Sequence, residues 1–377
     1  MTTSTAPSAA RVSKSDARAA VPLFLFGARG LLAGELLRLL ELHEGFVPQA
    51  LVGRSGRDVA AAHPHVDGAA APLAALVKDA VAAEDALAAA LEDGGEAAVV
   101  LALPHGESAA AWSRMRERLG ALAERAFVVD LSADYRLQDA TLHREAYGEE
   151  PPDAGERARF VYGLPELLRA EIAGARRVAA PGCFATALQL AVVPAARAGL
   201  LDDGSPWFLS AVTGSSGSGV DPKPGTHHPH RHGNLWAYSL DGHRHEAELR
   251  QSLEGTGLSP DLHFVPHSGP FARGIHLTAC LPLARDVSAE EAAATYLDAY
   301  AGEPFVRVLE DGAPDLRSVT GSNAAALRVY IRGDALHVLL TLDNLVKGGA
   351  GQALQCLNLM LGFSETRGLP RFGLGVS

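Results

Sequence analysis

The sequence has few cysteines, no long basic run and no long apolar run, and each shortage excludes a class of protein. Its three cysteines, Cys183, Cys280 and Cys356, are an odd number at wide spacing, which excludes a disulfide framework and a zinc ribbon. We therefore expect a reducing compartment, the cytoplasm. A net charge of −11 without a basic run argues against nucleic acid as the main partner. No uninterrupted apolar run approaches the roughly 20 residues that cross a bilayer, so we expect no membrane partner.

What is present is the composition of a soluble globular protein that is long enough for two domains. The chain has 377 residues, which exceeds one ordinary hydrophobic core. Residues 1–20 are rich in Ser, Thr, Ala, Arg and Lys and lack the apolar core of a signal peptide. We interpret them as a disordered tail, with a transit peptide as the alternative.

A strand, a glycine-rich turn and a helix open the part of the chain that we expect to be ordered. Val21–Phe26 is a short apolar run, Gly27, Gly30 and Gly34 follow it, and residues 35–40 have helical spacing. This arrangement places a dinucleotide pyrophosphate on a helix N-terminus. Gly27 and Gly30 are therefore candidate cofactor-binding residues, although the glycine spacing is not the strict dinucleotide fingerprint and is a weak signal alone.

Basic residues follow the second apolar segment, Phe46–Val52, where NAD-binding proteins carry an acid. Arg54 lies twenty positions after Gly34, and Ser55 and Arg57 come next. Arginine and serine suit a ribose 2′-phosphate, whereas Asp or Glu accepts from a free 2′-hydroxyl. We therefore predict NADP(H) rather than NAD(H), with a solvated loop as the alternative interpretation.

Further apolar segments alternate with helical ones, which predicts a parallel, doubly wound sheet. Residues 97–103 and Ala126–Asp130 are predicted strands, and the polar residues His105 and Ser132 come shortly after them. Ligands of such sheets bind beyond the carboxyl ends of the strands. These two residues are therefore better candidates for a functional role than other polar residues.

Closely spaced strands with few helices follow residue 200 and predict an α+β second domain with a largely antiparallel sheet. The predicted strands are 207–212, 262–265, 275–281, 325–331 and 337–342. Four histidines lie between residues 227 and 232, but their spacing matches no familiar set of metal ligands, and we expect no metal. A last helix, with Leu354, Leu357 and Leu361 on one face, is expected to return to the first domain.

Cys183 is the candidate nucleophile. Pro181 and Gly182 force a turn before it, and Leu188 and Val192 on one face of the following run predict a helix. A cysteine at a helix start lies at the positive end of the dipole, near unpaired N–H groups. Both effects favour the thiolate, and the same N–H groups can hold an oxyanion. The alternative is a small buried cysteine near a helix start.

Several motifs together resemble the N-acetyl-gamma-glutamyl-phosphate reductases of arginine biosynthesis, in the wider group that includes aspartate-semialdehyde dehydrogenase. The matching stretches are 27–40, 102–106, 130–136, 162–166, 181–183, 243–245, 273–274 and 343–352. The resemblance implies an α/β fold: a Rossmann-type doubly wound parallel sheet plus an α+β catalytic domain resembling that of glyceraldehyde-3-phosphate and semialdehyde dehydrogenases. It implies an NADP-binding domain of residues 21–182 and 344–377 and a catalytic and dimerisation domain of residues 183–343. We expect a homo-oligomer, either a dimer or a tetramer.

The resemblance also implies that NADPH reduces a small acyl phosphate, N-acetyl-gamma-glutamyl phosphate, to an aldehyde through a thioester on Cys183. Histidine has a pKa suited to the proton transfers of this reaction, and the resemblance favours the pair His243 and His245. We predict His243 as the proton-exchanging residue, because Gly242 lets the loop approach the cysteine, and His245 as a charged substrate-binding group. The residues assigned to the substrate are Arg136, Ser216 and Arg273, and those assigned to the cofactor, besides the glycines and the basic segment, are Arg29, Leu31, Pro104, Ser132 and Asn344.

The chain departs from the family at several positions, and two alternative functions stay open. The family usually carries serine at Arg29, Tyr-Thr at residues 31–32 and glycine at Ala33, and often Thr-Pro at residues 246–247. One alternative is the lysine-pathway reductase of aminoadipyl phosphate bound to a carrier protein. The other is a catalytically inactive NADP-binding regulator, against which the retention of Cys183 and the histidine pair argues.

Overall fold

The structure is a computed structural model that describes residues 19–53, 59–66 and 73–375. Within these ranges the chain forms two β-sheets, each with helices packed against it. None of the helices in these ranges combines the length and the apolar character needed to cross a membrane. The predicted tail lies outside the described residues except for its last two, and so do Arg54, Ser55 and Arg57.

The first sheet is parallel, with strand order β2-β1-β3-β4-β6-β5. Its strands are β1 (Val21–Phe26), β2 (Phe46–Val52), β3 (Ala97–Leu101), β4 (Ala126–Asp130), β5 (Val161–Tyr162) and β6 (Arg177–Ala179). This confirms the predicted doubly wound sheet, although β3 ends two residues earlier than expected. The strands β5 and β6 were not predicted, because two or three residues are too few for a periodic signal.

Helices cover both faces of the first sheet, as a doubly wound fold requires. They are α1 (Leu31–Leu40), α2 (Val59–Ala62), α3 (Leu73–Leu76), α4 (Ala80–Leu91), α5 (Glu107–Leu119), α6 (Ala140–Tyr147), α7 (Ala154–Arg157) and α8 (Pro165–Ala173). One face packs against α1 and the last helix of the chain, α13 (Gly351–Met360). The other face packs against α4 and α5.

The second sheet is mixed, with strand order β11-β12-β13-β10-β7-β9-β8. Its strands are β7 (Trp207–Thr213), β8 (Trp236–Ala237), β9 (Leu262–Ser268), β10 (Ile275–Pro282), β11 (Val306–Val308), β12 (Ala325–Arg332) and β13 (Ala335–Leu342). Most neighbours pair antiparallel, as predicted, but β7 with β9 and β11 with β12 pair parallel. The short strands β8 and β11 were not predicted.

One face of the second sheet is covered by helices and the other is open. The helices of this part of the chain are α9 (Cys183–Arg197), α10 (His228–Arg231), α11 (His245–Ser252) and α12 (Ala289–Ala299). The buried residues of α9 and α12 pack against the inward side chains of β7, β10, β12 and β13. On the open face, Phe208 is 51% exposed and Tyr330 is 37% exposed.

A π-helical turn, Val346–Ala350, joins β13 to α13. A Cβ added to Gly348 would lie 2.7 Å from Cβ of Cys183, and one added to Gly349 would lie 2.5 Å from Cδ2 of Leu32. Such distances are shorter than carbon–carbon contacts allow. The turn therefore packs against both the start of α9 and the first turn of α1. Turns of π-helix are frequent at functional sites.

Candidate active site

Cys183 is the first residue of α9, so the predicted turn and helix are both present. Gly182 is the N-cap residue, and no side chain caps the helix. The first backbone N–H groups of α9 therefore have no helical acceptor, and that of Phe184 interacts with the Cys183 thiol. Cys280 lies in β10 and Cys356 is buried in α13. Neither of these two occupies a helix start.

A cavity of about 630 Å³ opens beside Cys183. Among the residues that line it are Cys183, His243, Arg244, His245, Tyr238 and Lys223. No Asp or Glu of the described chain lines it. A cavity with two basic side chains and no carboxylate in its wall favours an anionic ligand.

The two histidines lie together at the start of α11, which begins at His245. Their ring centroids are 4.6 Å apart. Nδ1 of His243 accepts the backbone N–H of His245 at 3.2 Å, so neutral His243 carries its proton on Nε2. Nε2 of His245 lies against Gly182, where an added Cβ would collide with it. Nδ1 of His245 is buried and has no hydrogen-bond partner among the described residues.

Burial keeps both histidines and the cysteine neutral in the ligand-free protein. It lowers the pKa of His243 to about 4 and that of His245 well below its ordinary value, with help from the positive charge of Arg244. Burial also raises the pKa of Cys183, against the smaller effects of the Phe184 N–H and nearby arginines. The expectation of a favoured thiolate is thus reversed, because the helix start is a local effect whereas burial depends on the whole fold.

We expect the rate at which iodoacetamide alkylates Cys183 to keep rising above pH 9, because the thiolate is the reactive form and its pKa is raised. Since the pKa of His243 is about 4, no plateau from a thiolate–imidazolium pair is expected between about pH 5 and 8. Rates are measured by intact mass, with Cys183→Ala giving the background from the other two cysteines. A plateau in that interval would contradict the expectation.

Glu248 is a buried carboxylate that fixes the turn before Cys183. Its Oε2 accepts the Gly182 N–H at 3.0 Å and the Tyr162 hydroxyl at 2.7 Å. Its Oε1 accepts Nη1 of Arg136 at 3.1 Å. Glu248 is not among the site residues predicted from the sequence. The available signal was an acid one helical turn after His245, on the same side of α11.

Arg136, a predicted substrate-binding residue, is held by acceptors of the protein itself. The side chain is buried, and besides Glu248 it donates from Nε to the Ala180 carbonyl at 2.8 Å and from Nη2 to the Leu131 carbonyl at 3.1 Å. All three of its nitrogen atoms thus have protein acceptors. Arg136 thus joins the end of β4 to α11 and to the cysteine turn, and its contact with substrate stays a prediction.

Arg273 is also paired with protein carboxylates. Its Nη1 lies 2.9 Å from Oε2 of Glu35 in α1, and its Nε donates to Oδ2 of Asp343 at 3.1 Å. Both partners are buried, and Arg273 does not line the cavity beside Cys183. Arg273 thus belongs to an ion-pair network between the two sheets, and its contact with substrate stays a prediction.

Asn344 and Ser216 likewise hold loops together. Oδ1 of Asn344 accepts the Gly274 N–H at 2.7 Å, and its Nδ2 donates to Oγ of Ser216 at 2.9 Å. The Ser216 hydroxyl donates to the Ala272 carbonyl at 2.7 Å. Neither residue lines the cavity beside Cys183. Both residues therefore join loops, and the contacts of Asn344 with cofactor and of Ser216 with substrate stay predictions.

The glycine-rich turn forms a cradle at the start of α1. Gly27 has a φ of +88°, and a Cβ there would collide with the Ala102 carbonyl, so only glycine fits. Gly30 is the N-cap of α1, Leu31 is its first residue, and the first turn has neither a side-chain cap nor an acid. The free N–H groups and the helix dipole fit a pyrophosphate. Nε of Arg29 is buried without a hydrogen-bond partner among the described residues.

Two of the predicted cofactor-binding residues follow the carboxyl ends of β3 and β4. Pro104 is exposed just beyond β3. Ser132 donates to Asp130 at 2.8 Å and accepts the Asp134 N–H at 3.1 Å, so its hydroxyl shapes the turn after β4. Nδ1 of His105 accepts the Ala133 N–H at 2.9 Å. Among the described residues, no group of three His, Cys, Asp or Glu side chains is arranged to hold a metal ion.

Two family models match the chain: the semialdehyde dehydrogenase NAD binding domain over residues 23–175 and the semialdehyde dehydrogenase dimerisation domain over residues 183–344. An N-acetyl-gamma-glutamyl-phosphate reductase of Saccharopolyspora erythraea is 41% identical over 92% of this chain and 97% of its own. The N-acetyl-gamma-glutamyl-phosphate reductase of Streptomyces coelicolor is 39% identical over 94% of this chain and 99% of its own. A Thermomicrobium roseum protein provisionally named as a LysW-L-2-aminoadipate 6-phosphate reductase is 36% identical over 94% and 99%.

Solved structures with the same fold include aspartate semialdehyde dehydrogenases. The Vibrio cholerae enzyme II complexed with ASA superposes with a TM-score of 0.63 at 14% identity, covering 92% of this chain and 99% of that one. The Candida albicans enzyme with NADP superposes with a TM-score of 0.59 at 13% identity, covering 91% of this chain and 99% of that one. At such identities the likeness concerns the fold alone, and it confirms the predicted α/β fold class.

Proposed function

The chain belongs to the N-acetyl-gamma-glutamyl-phosphate reductase family of semialdehyde dehydrogenases, and from this we propose that the cavity beside Cys183 is its active site. The protein is an oxidoreductase that uses NADPH to reduce N-acetyl-gamma-glutamyl phosphate to N-acetylglutamate 5-semialdehyde with release of phosphate. The observation that carries the site assignment is a cysteine at a helix start that shares a cavity wall with two histidines and with no Asp or Glu of the described residues.

In the proposed mechanism Cys183 attacks the acyl carbon of the substrate. Its thiol proton passes to a neighbouring base, a C–S bond forms, and the C–O bond to phosphate breaks, which leaves a thioester. The free N–H groups at the start of α9 stabilise the oxyanion of this step. The hydride that reduces the thioester carbon would come from NADPH held by the glycine turn at the start of α1. The sulfur then leaves as the aldehyde forms, and the thiolate takes back a proton.

Both histidines are candidates for these proton transfers. His243 is the residue that the sequence predicts for them. Its Nδ1 accepts the His245 N–H, so its Nε2–H is left as a donor. His245 has a buried Nδ1 without a partner, and its ring packs on Gly182, which favours it as the acceptor of the thiol proton. We therefore propose that His245 acts as the base and His243 as the acid. The kcat of each His→Ala variant tests this, and an unchanged kcat for His245→Ala would return the basic role to His243.

The residues of the glycine turn fit the pyrophosphate of NADP(H), and Arg29 adds a positive charge. The Arg29 side chain lies against Gly53 at the end of β2, where a Cβ would lie 3.4 Å from its Cγ. Because the ribose of a dinucleotide lies beyond the second strand of such folds, we propose that Arg29 contacts the 2′-phosphate side of the cofactor.

The proposed preference for NADPH over NADH rests on Arg54, Ser55 and Arg57. We expect the double variant with Arg54→Ala and Arg57→Ala to raise the KM for NADPH by about 10- to 100-fold, since hydrogen bonds to charged groups have that effect. The KM for NADH should stay nearly constant, and Arg332→Ala on the β12–β13 hairpin serves as the control for lost charge. Equal increases for both cofactors would contradict the assignment.

The proposed function is tested in the reverse direction. Purified protein should reduce NADP with N-acetylglutamate 5-semialdehyde only when inorganic phosphate is present. The Thermomicrobium roseum relative makes the carrier-bound substrate the second candidate, so aminoadipate semialdehyde attached to its carrier protein is assayed in parallel. Faster turnover of the carrier-bound aldehyde would assign the protein to the lysine pathway. Absence of both reactions would favour an inactive NADP-binding regulator.

We further propose that the open face of the second sheet binds a second copy of the chain. The match to a dimerisation domain over residues 183–344 supports this, as do the exposed Phe208 and Tyr330 on that face. We also propose that residues 183–343 form the catalytic and dimerisation domain and that residues 344–377 belong to the NADP-binding domain. The reason is that α13 packs against α1 and the first sheet. A monomeric mass by light scattering at micromolar concentration would contradict the dimer.

A further inference from the structure

Two cations in the wall of the cavity have no partners in the described chain. Lys223 is one of only four lysines in the sequence, and its side chain makes no hydrogen bond or ion pair with a described residue. Its backbone is fixed, because its N–H donates to the Thr226 hydroxyl and its carbonyl accepts from it, both at 2.9 Å. The side chain of Arg244 is exposed and equally unpaired within the described residues. In a chain of net charge −11, two unpaired cations in one cavity favour a ligand with two negative groups.

A buried hydroxyl in the same wall also lacks a partner. Thr213, at the end of β7, is 4% exposed, and its Oγ1 makes no hydrogen bond with a described residue. Buried polar groups are nearly always hydrogen-bonded, so such a group in a cavity wall points to a ligand. Thr213 and Lys223 both line the cavity that also reaches Cys183.

The two cations lie in different parts of the wall. Arg244 stands between His243 and His245, and its charge lowers the pKa of Cys183 against the larger effect of burial. Lys223 directly precedes the turn Pro224–Thr226, which packs on the edge strand β8, since a Cβ on Gly225 would lie 3.4 Å from Trp236. One cation is therefore beside the reacting sulfur and the other is at the outer edge of the second sheet.

We propose that the cavity binds its substrate by both anionic ends: Arg244 binds the phosphoryl group at the reacting carbon, and Lys223 with the Thr213 hydroxyl binds the carboxylate at the other end. The acyl phosphate of an N-acylated amino dicarboxylic acid has these two groups separated by a short carbon chain. This assignment rests on the proposed function for the identity of the substrate. It gives the chain two specificity-determining residues, and a guanidinium suits the bidentate phosphate contact.

The experiment separates the two ends of the substrate. In NADP reduction, Lys223→Met should raise the KM for N-acetylglutamate 5-semialdehyde by about 10- to 100-fold and leave the KM for phosphate unchanged. Arg244→Met should raise the KM for phosphate by a similar factor and change the KM for the aldehyde far less. Lys223→Arg keeps the positive charge, so its KM for the aldehyde should stay close to that of the wild type. Arg332→Met is the control for the change in net charge. Butanal, which has no carboxylate, should react equally with wild type and Lys223→Met.

A second readout does not depend on turnover, so failure of the proposed function is distinguishable from failure of this assignment. Inorganic phosphate and N-acetylglutamate should each slow the iodoacetamide alkylation of Cys183 in the wild type. Protection by phosphate should disappear in Arg244→Met, and protection by N-acetylglutamate should disappear in Lys223→Met. Equal effects of both variants on both anions, or no protection of the wild type, would overturn the proposal.

Discussion

Replacing Cys183 by alanine is expected to lower turnover by about 10⁴-fold or more, as removal of a covalent nucleophile does, and to change NADPH affinity by less than about twofold. Turnover and NADPH affinity should respond differently because Cys183 and the predicted cofactor site lie on different helices. Cys183 starts α9 against the cavity, whereas the glycine cradle lies at the start of α1. Single-turnover oxidation of NADPH measures the first quantity, and fluorescence titration with NADPH measures the second.

The matched control is Cys280→Ala. Cys280 lies in β10 and is half-buried, with its Sγ 3.9 Å from Nε2 of His337, and its loss should leave the rate nearly unchanged. Cys183→Ser keeps the size of the side chain but has a much weaker nucleophile, so it should be nearly as inactive as the alanine variant. Turnover of Cys183→Ala at a rate comparable to the wild type would refute the thioester mechanism.

Replacing Glu248 by alanine should lower the free energy of unfolding by about 3–5 kcal/mol, because removal of one partner leaves a buried charge uncompensated. Arg136 would keep its two carbonyl acceptors but lose its carboxylate. The Gly182 N–H and the Tyr162 hydroxyl would lose their acceptor as well. The same change should reduce activity, since Glu248 fixes the turn that carries Cys183.

Urea unfolding measures this loss as a lower midpoint at constant slope. Glu248→Gln keeps the size and one acceptor oxygen, so it should be less destabilising than the alanine variant. Glu246→Ala is the control on the same helix, because among the described residues the Glu246 carboxylate accepts only the His243 N–H, at 2.8 Å. Its loss should cost about 0.5–2 kcal/mol, like the loss of a helix cap. A loss below about 1 kcal/mol for Glu248→Ala would contradict the assigned network.

Local signals in the sequence were sufficient for the parallel sheet and for the position of Cys183. The strands Phe46–Val52 and Ala126–Asp130 have the predicted bounds, because apolar runs between turns depend only on neighbouring residues. A Pro-Gly turn before an apolar run likewise specifies a helix start. Strands of two or three residues, such as Val161–Tyr162, carry no such pattern and are formed by pairing with a distant strand.

The roles of the arginines could not be predicted from residue type. Arginine suits phosphate and carboxylate alike, and only the fold decides which anion it meets. The partner of Arg136 is Glu248, 112 positions later, and Glu35 lies 238 positions from Arg273. Arg244 was not assigned a role from the sequence, because it has no distant partner and its sequence position does not show which cavity it lines. Its significance comes from an exposed side chain beside a cavity that distant loops enclose.

The π-helical turn between β13 and α13 limits how this enzyme can be redesigned. Gly348 touches Cys183 and Gly349 touches Leu32, so a methyl group added at Gly348 must move Cys183, and one added at Gly349 must move the first turn of α1. A library that randomises residues 346–351 should therefore recover glycine at both positions from every active clone. Changes of substrate will have to be introduced elsewhere in the cavity wall, around Lys223 and Arg244.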